Sequence, residues 1–238
     1  MSIPQEAFIA ALRRGRNSAE GLKKAHLVDD IVCTYLFGTI QEQFDCVRCF
    51  YVLTSARLNG DWMTYAPAVE SRLSKAQVHS FAESVAKQLG FSAGDDIRAL
   101  IGQLGGQIDI EDTLLSDPEH TGSLYVESPS KFRIVVPSHT SPERDRFTAA
   151  HELGHYFLHY LWAKKKNPQF PDRVVAYRRG SERIEWEANW FAAAFLMAED
   201  DFREAFDSTG GEIRKIADIF GVSPAAVEVR AKGLGLLV

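Results

Sequence analysis

The chain has 238 residues, 45% hydrophobic and 25% charged, the balance of an ordinary water-soluble globular protein with room for one large or two small domains. No run of eighteen apolar residues marks a membrane span, and the formal net charge of -5 argues against a whole-surface nucleic-acid binder while leaving room for a local basic patch. Three cysteines are an odd count for a disulfide framework, and Met1 to Glu6 does not open a basic-then-apolar leader, so the cytoplasm is the expected compartment.

Residues 1–65 read as a mostly helical segment, with amphipathic runs starting at Ala7 and spanning Leu27–Leu36 and Phe44–Leu58. Asn59, Gly60 and Asp61 give a turn and a boundary near residue 65. Cys46 and Cys49, with Cys33 and His26 upstream, could be imagined as a metal site. Small buried residues on one helix face explain them better, and no role is assigned to this segment.

A helix is expected from Val69 to Leu89 and a shorter one, capped by Asp95 or Asp96, through Leu104. Three strand-like runs follow, 107–111, 122–127 and 131–136, with Ser128, Pro129 and Ser130 turning the last two into an antiparallel hairpin. Ser141 is the expected N-cap, and Pro142 the first residue, of a helix reaching Leu161 or Trp162. Lys164, Lys165 and Lys166 sit at its C-terminus, where the helix dipole favours positive charge. Residues 167–180 read as loop. Helices are expected over 181–197, 199–206, 213–220 and 225–232.

The chemistry lies in His151-Glu152-Leu153-Gly154-His155. Two histidines four apart lie one turn apart on one helix face, so both imidazoles can reach one ion, and Glu152 can hold a water on it. That is the arrangement of a zinc peptidase helix, but a catalytic site of this kind needs a third protein ligand. His159 is eight residues from His151, roughly 12 Å along a straight helix, and no glycine turns the chain back between His155 and His159. His159 is therefore expected behind the ligands, on the substrate side, or as a polar core residue. Glu185 is the better third ligand. Asn189, one turn later, can accept the N–H of a ligating imidazole. Glu187 points about 200° away from Glu185 and is the poorer choice; both could also be mere helix N-terminal charges.

The segments Arg146-Phe147-Thr148 through His155, Leu158-His159, Glu185 through Ala193 and Leu196-Met197 together resemble the ImmA/IrrE family of metallopeptidases. The resemblance covers about residues 75–238, with Ala198 standing where the family often has proline. It implies an α+β, zincin-like peptidase domain over 66–238: a small antiparallel sheet beside the active-site helix, with the glutamate ligand on a second helix. It also implies His151, His155 and Glu185 as ligands of Zn2+, Glu152 as catalytic base, and a protein substrate such as a helix-turn-helix transcriptional repressor or antitoxin. An oxyanion helper is needed too, with Tyr156, His159, Tyr177, Arg178 and Arg179 as candidates. An extended substrate is expected to add to the strand 131–136. The 213–220 and 225–232 pair has helix-turn-helix spacing, but its second helix offers little beyond Arg230 and Lys232 to read bases. Direct DNA binding is therefore the weaker reading, alongside a module that binds its partner without cutting it.

Overall fold

A computed structural model describes residues 65–111, 122–138, 140–177 and 182–237. The helical reading of residues 1–64, with its cysteines and His26, lies outside them, as do Arg178 and Arg179. The architecture is α+β and zincin-like. One five-stranded sheet lies beside helices, with β1 at Ala66–Pro67, β2 at Gly106–Glu111, β3 at Gly122–Ser128, β4 at Lys131–Pro137 and β5 at Val174–Tyr177.

The strand order is β1-β5-β3-β4-β2. The expected β3–β4 hairpin forms, antiparallel, with Leu124 opposite Ile134. The sheet as a whole is mixed rather than antiparallel, because β2 runs parallel to β4 and β1 parallel to β5. Two strands were not anticipated. β5 is four residues long and hides in a polar stretch, though Val174, Val175 and Ala176 are all buried. β1 is only two residues long and contains a proline. β4 lies between β3 and β2, so its backbone groups are committed on both sides. The expectation that substrate adds to 131–136 is thereby corrected: the edges are β1 and β2.

Helix α1 spans Lys75–Leu89 rather than starting at Val69. Ser74 accepts from Gln77 N and the Gln77 side chain accepts from Ser74 N, a capping box that fixes the start. Gly90, at φ 63°, closes it in the left-handed conformation. Helix α2 is Ile97–Gln103, capped by Asp96 as expected. Helix α3, Pro142–Gly154, starts at the anticipated Ser141 cap, continues as a π-helical segment over His155–Leu161, and ends as α4, Trp162–Lys166. Lys164 Nζ donates to the Phe170 carbonyl, so the lysine run closes the helix end.

Helix α5 spans Glu182–Leu196 and crosses both α1 and α3. Phe191 joins them: it stacks on Phe157 and Phe195 and lies against Phe81. Burying a phenylalanine completely contributes about 2–3 kcal/mol, and Phe81, Phe157 and Phe191 all have no exposed surface. The C-terminal helices are α6, Glu199–Thr209, α7, Ile213–Phe220, and α8, Pro224–Gly233. The α7–α8 pair packs into the same core through Phe220, Val222 and Val227. Arg230, which a DNA reading would need on the surface, is 3% exposed and binds the Met197 carbonyl and Glu83. Among the described residues, no helix is long and apolar enough to cross a membrane.

Candidate metal centre

Two helices build the site. α3 and the π-helical segment carry His151, Glu152, His155 and His159; α5 carries Glu185, Glu187 and Asn189. They approach closely because Gly154 has no side chain. A Cβ there would lie 3.0 Å from Ala188 Cα and 3.2 Å from Phe191 Cβ. The small pair Gly154 and Ala188 sets how near the α5 carboxylates come to the histidines.

His151 Nε2 and His155 Nε2 are 3.0 Å apart, and Glu185 lies 3.3 Å from the first and 3.6 Å from the second. One ligand atom from each of His151, His155 and Glu185 falls within 4.8 Å of the others. Donors each held about 2.0–2.1 Å from one tetrahedral zinc would be separated by about 3.3 Å, so the spacing suits such an ion. Glu185 Oε1 is a buried oxygen with no hydrogen-bond donor, the orphaned acceptor that a cation would satisfy. Electrostatics agree. Burial draws the His151 pKa down. The Glu185 hydrogen bond, the charges of Glu152 and Glu185 and the Asn189 contact outweigh it and leave the value raised. The carboxylates beside His151 therefore favour positive charge at that position. His155 is held well below the ordinary histidine value by burial and by the neighbouring His151 and His159, which keeps it a neutral imidazole.

Behind the Nε2 atoms the two histidines are held differently. His151 Nδ1 lies 3.0 Å from Asn189 Oδ1, the contact anticipated from the one-turn spacing of Glu185 and Asn189. His155 Nδ1 lies 2.9 Å from His159 Nδ1, and His159 Nε2 lies 3.1 Å from Glu187 Oε2. His159 is thus kept out of the three-residue cluster, as helix geometry requires, and is buried behind it. The π-helical turn places it there. An α-helical step of four residues overshoots one turn by about 40°, and a π-turn, closed i→i+5, winds each residue less. The second four-residue step therefore swings back beneath His155 instead of drifting further round.

Glu187 is the residue that sequence reasoning undervalued. It is not an exposed helix-start charge but has no exposed surface at all. Besides His159, it accepts from Ser71 N at 2.8 Å, Arg72 N at 3.1 Å and Arg183 Nε at 2.7 Å. Burial alone would raise its pKa. The bonds from His159, Ser71 and Arg183 win, lowering it to about 2. Arg72 sits at φ 60°, a left-handed conformation that costs a non-glycine residue about 1–2 kcal/mol. The legible signal was the second glutamate of Glu185-Trp186-Glu187 on the buried side of a helix whose mate, Leu158-His159, carries a polar residue in an apolar run.

Glu152 is 3% exposed, beside the cluster. Of the candidate oxyanion helpers, Tyr156 is committed elsewhere: it is fully buried, donates its hydroxyl to the Pro129 carbonyl and stacks on Phe132. His159 is committed to His155 and Glu187. Tyr177 ends β5, 36% exposed and outside the cluster.

The family model described as Peptidase_M78, IrrE N-terminal-like domain, matches residues 106–232, just over half of the chain. None of the curated proteins matches. A solved structure described as a Mycobacterium tuberculosis transcriptional regulator is similar at 20% identity and a TM-score of 0.45, over 64% of this chain and 45% of that one. The chain thus spans less than half the length of that protein. The family match covers both motifs on α3 and α5, and the chain belongs to the peptidase M78 family of ImmA/IrrE-type metallopeptidases.

Proposed function

We propose that the protein is a zinc-dependent endopeptidase that cuts one peptide bond in a regulatory protein, with His151, His155 and Glu185 as the zinc ligands and Glu152 as catalytic base. The observation that carries this reading is the His151–His155–Glu185 cluster, whose Nε2 and carboxylate atoms face one another at 3.0–3.6 Å with a buried Glu185 oxygen lacking any donor. Zinc bound there would lower the pKa of a water to about 7 and polarise the scissile carbonyl.

The chain's own groups do the rest. Glu185 contributes the negative charge, and with zinc bound the two imidazoles would serve as neutral ligands. Asn189 Oδ1 accepts a hydrogen bond from His151 Nδ1–H, leaving Nε2 free to bind. Glu152, one residue from the first ligand and nearly buried, takes the proton of the attacking water and passes it to the leaving amine. Burial reduces the screening of this carboxylate's charge by bulk water. Tyr177, at the exposed end of β5, stands as the remaining described candidate to support the developing oxyanion.

A helix-turn-helix repressor or antitoxin is the proposed substrate, supported by the family resemblance. Direct DNA binding loses its main support with Arg230 buried. The test is incubation of the wild type and Glu152→Gln, each loaded with zinc, with helix-turn-helix repressors from the same genome. Cleavage by the wild type alone is expected. Binding without cleavage by both proteins would instead establish a non-cutting interaction module.

A further inference from the structure

Asn189 is enough to orient His151, yet behind His155 stands a longer apparatus of buried polar groups. A polar pair in a core is costly unless every donor and acceptor is matched. Here the matching has only one polarity. If His155 offers Nε2 to the site, its Nδ1 carries the proton and donates to His159 Nδ1, 2.9 Å away. His159 must then carry its own proton on Nε2, which donates to Glu187 Oε2 at 3.1 Å. Glu187 in turn is held by donors from Ser71 N and the Ser71 hydroxyl, Arg72 N and Arg183 Nε. Those donors come from two places. The Ser71–Arg72 backbone lies in the stretch before α1, and Arg183 is one turn earlier on α5, where its guanidinium also donates to the Leu73 carbonyl. The carboxylate is therefore pinned between two parts of the fold.

We propose that His159 and Glu187 are positioning residues that set the tautomer and aim of His155, with the Ser71–Arg72 backbone and Arg183 as the fixed end of the relay. The proposal rests on the reading of His151, His155 and Glu185 as a metal site. A ligating histidine usually donates its second N–H directly to a carboxylate or carbonyl, which orients the ring and raises its basicity. Here a second imidazole is interposed. It carries the influence of the Glu187 charge to His155 over a distance that a single carboxylate side chain could not bridge. The π-helical turn at His155–Leu161 is the device that places that imidazole. The relay also makes the Ser71–Arg72 segment before α1 part of the proposed metal site.

The test uses the full chain and zinc itself, with affinity read by competition against a chromophoric chelator and ligand geometry read from the visible spectrum of the cobalt-substituted protein. His159→Leu removes both hydrogen bonds. Glu187→Gln keeps the shape but turns an amide NH2 toward N–H donors. His159→Gln can still accept from His155 and donate to Glu187. Zinc affinity should fall about 10–100-fold in the first two and stay within about threefold of wild type in the third. The cobalt spectrum should shift only in the first two. Arg183→Gln, at the half-exposed end of the relay and tolerable to the fold, should weaken zinc by a few-fold and covers the case in which His159→Leu does not fold. Folded His159→Leu, Glu187→Gln or Arg183→Gln protein with wild-type affinity and spectrum overturns the proposal, because a purely structural role would lower melting temperature and leave the metal untouched. If His155→Ala also binds zinc like the wild type, the site reading fails and the relay with it. If His155→Ala loses zinc while the relay variants keep it, only the relay fails.

Discussion

Gly154 lies against Ala188 so closely that a single added carbon would sit 3.0 Å from the Ala188 Cα. This contact sets the separation of the two helices whose side chains make the candidate metal site. Its neighbours are backbone and a packed Phe191, which have little room to yield. Gly154→Ala should therefore lose about 1–3 kcal/mol of stability through overpacking. It should also bind zinc more weakly, because α5 moves away from the histidines. Urea unfolding of the metal-free chain, paired with a zinc titration, checks both. Unchanged values in the two measurements would mean that the helices separate without cost.

Glu152→Gln keeps the size of the side chain and removes its capacity to take a proton. Hydrolysis of a protein substrate should drop by about 10²–10⁴-fold, while bound zinc stays near one equivalent. Glu185→Ala should do the reverse and lose the metal first. Metal analysis and a cleavage assay on both variants separate base from ligand; tight zinc in Glu185→Ala would remove Glu185 from the ligand set.

Arg230 ties α8 to α1 and to the end of α5 through Glu83 and the Met197 carbonyl, both at 3.0 Å. Arg230→Met keeps most of the apolar stem but removes the guanidinium from the Met197 carbonyl and from the partly buried Glu83, which keeps the Glu199 N–H at 3.0 Å. A loss of about 2–3 kcal/mol is expected, in the range for hydrogen bonds to charged groups, measured as a lower urea midpoint. A surface role for Arg230 predicts no change in that midpoint.

His79 gives the pH dependence. Burial, then the Arg230 and Lys75 charges, lower its pKa from 6.5 to about 4, with Glu199 opposing. The native chain keeps this imidazole neutral where the unfolded chain would protonate it. The unfolded state therefore binds more protons between about pH 6.5 and 4, and the contribution of His79 to stability, intact above this window, is lost as pH falls through it. His79→Gln should flatten the fall in urea midpoint across that window relative to wild type. Parallel curves for the two proteins would show that His79 does not titrate this way.

The motif, its helix and its starting cap were legible because they depend on local chemistry. A four-residue spacing puts His151 and His155 on one face whatever surrounds them, and Ser141-Pro142 starts a helix by its own hydrogen bonding and fixed φ. Glu185 and Asn189 were legible for the same reason, since the second also sits four residues after the first. The resemblance to a peptidase family rested on these same two stretches.

What only the tertiary structure decided was everything that required knowing what lies across a gap. Glu187 and Glu185 are two residues apart on one helix and look alike in sequence. One faces the histidine Nε2 atoms, and the other is buried among His159, Ser71, Arg72 and Arg183, from segments up to 116 residues away. Strand order is equally non-local: the alternation of 131–136 marks a strand but not its neighbours, so whether it was central or at an edge waited on the pairing of β2 with β4. The π-helical turn is the third case. Its residues have ordinary helical side chains, and the wider turn is visible only in the backbone bonding, as where Trp162 N donates to the Phe157 carbonyl five residues back. Local spacing therefore specified which groups could share an ion, and the crossing of α3 with α5 at Gly154 and Ala188 decided which of them face one another.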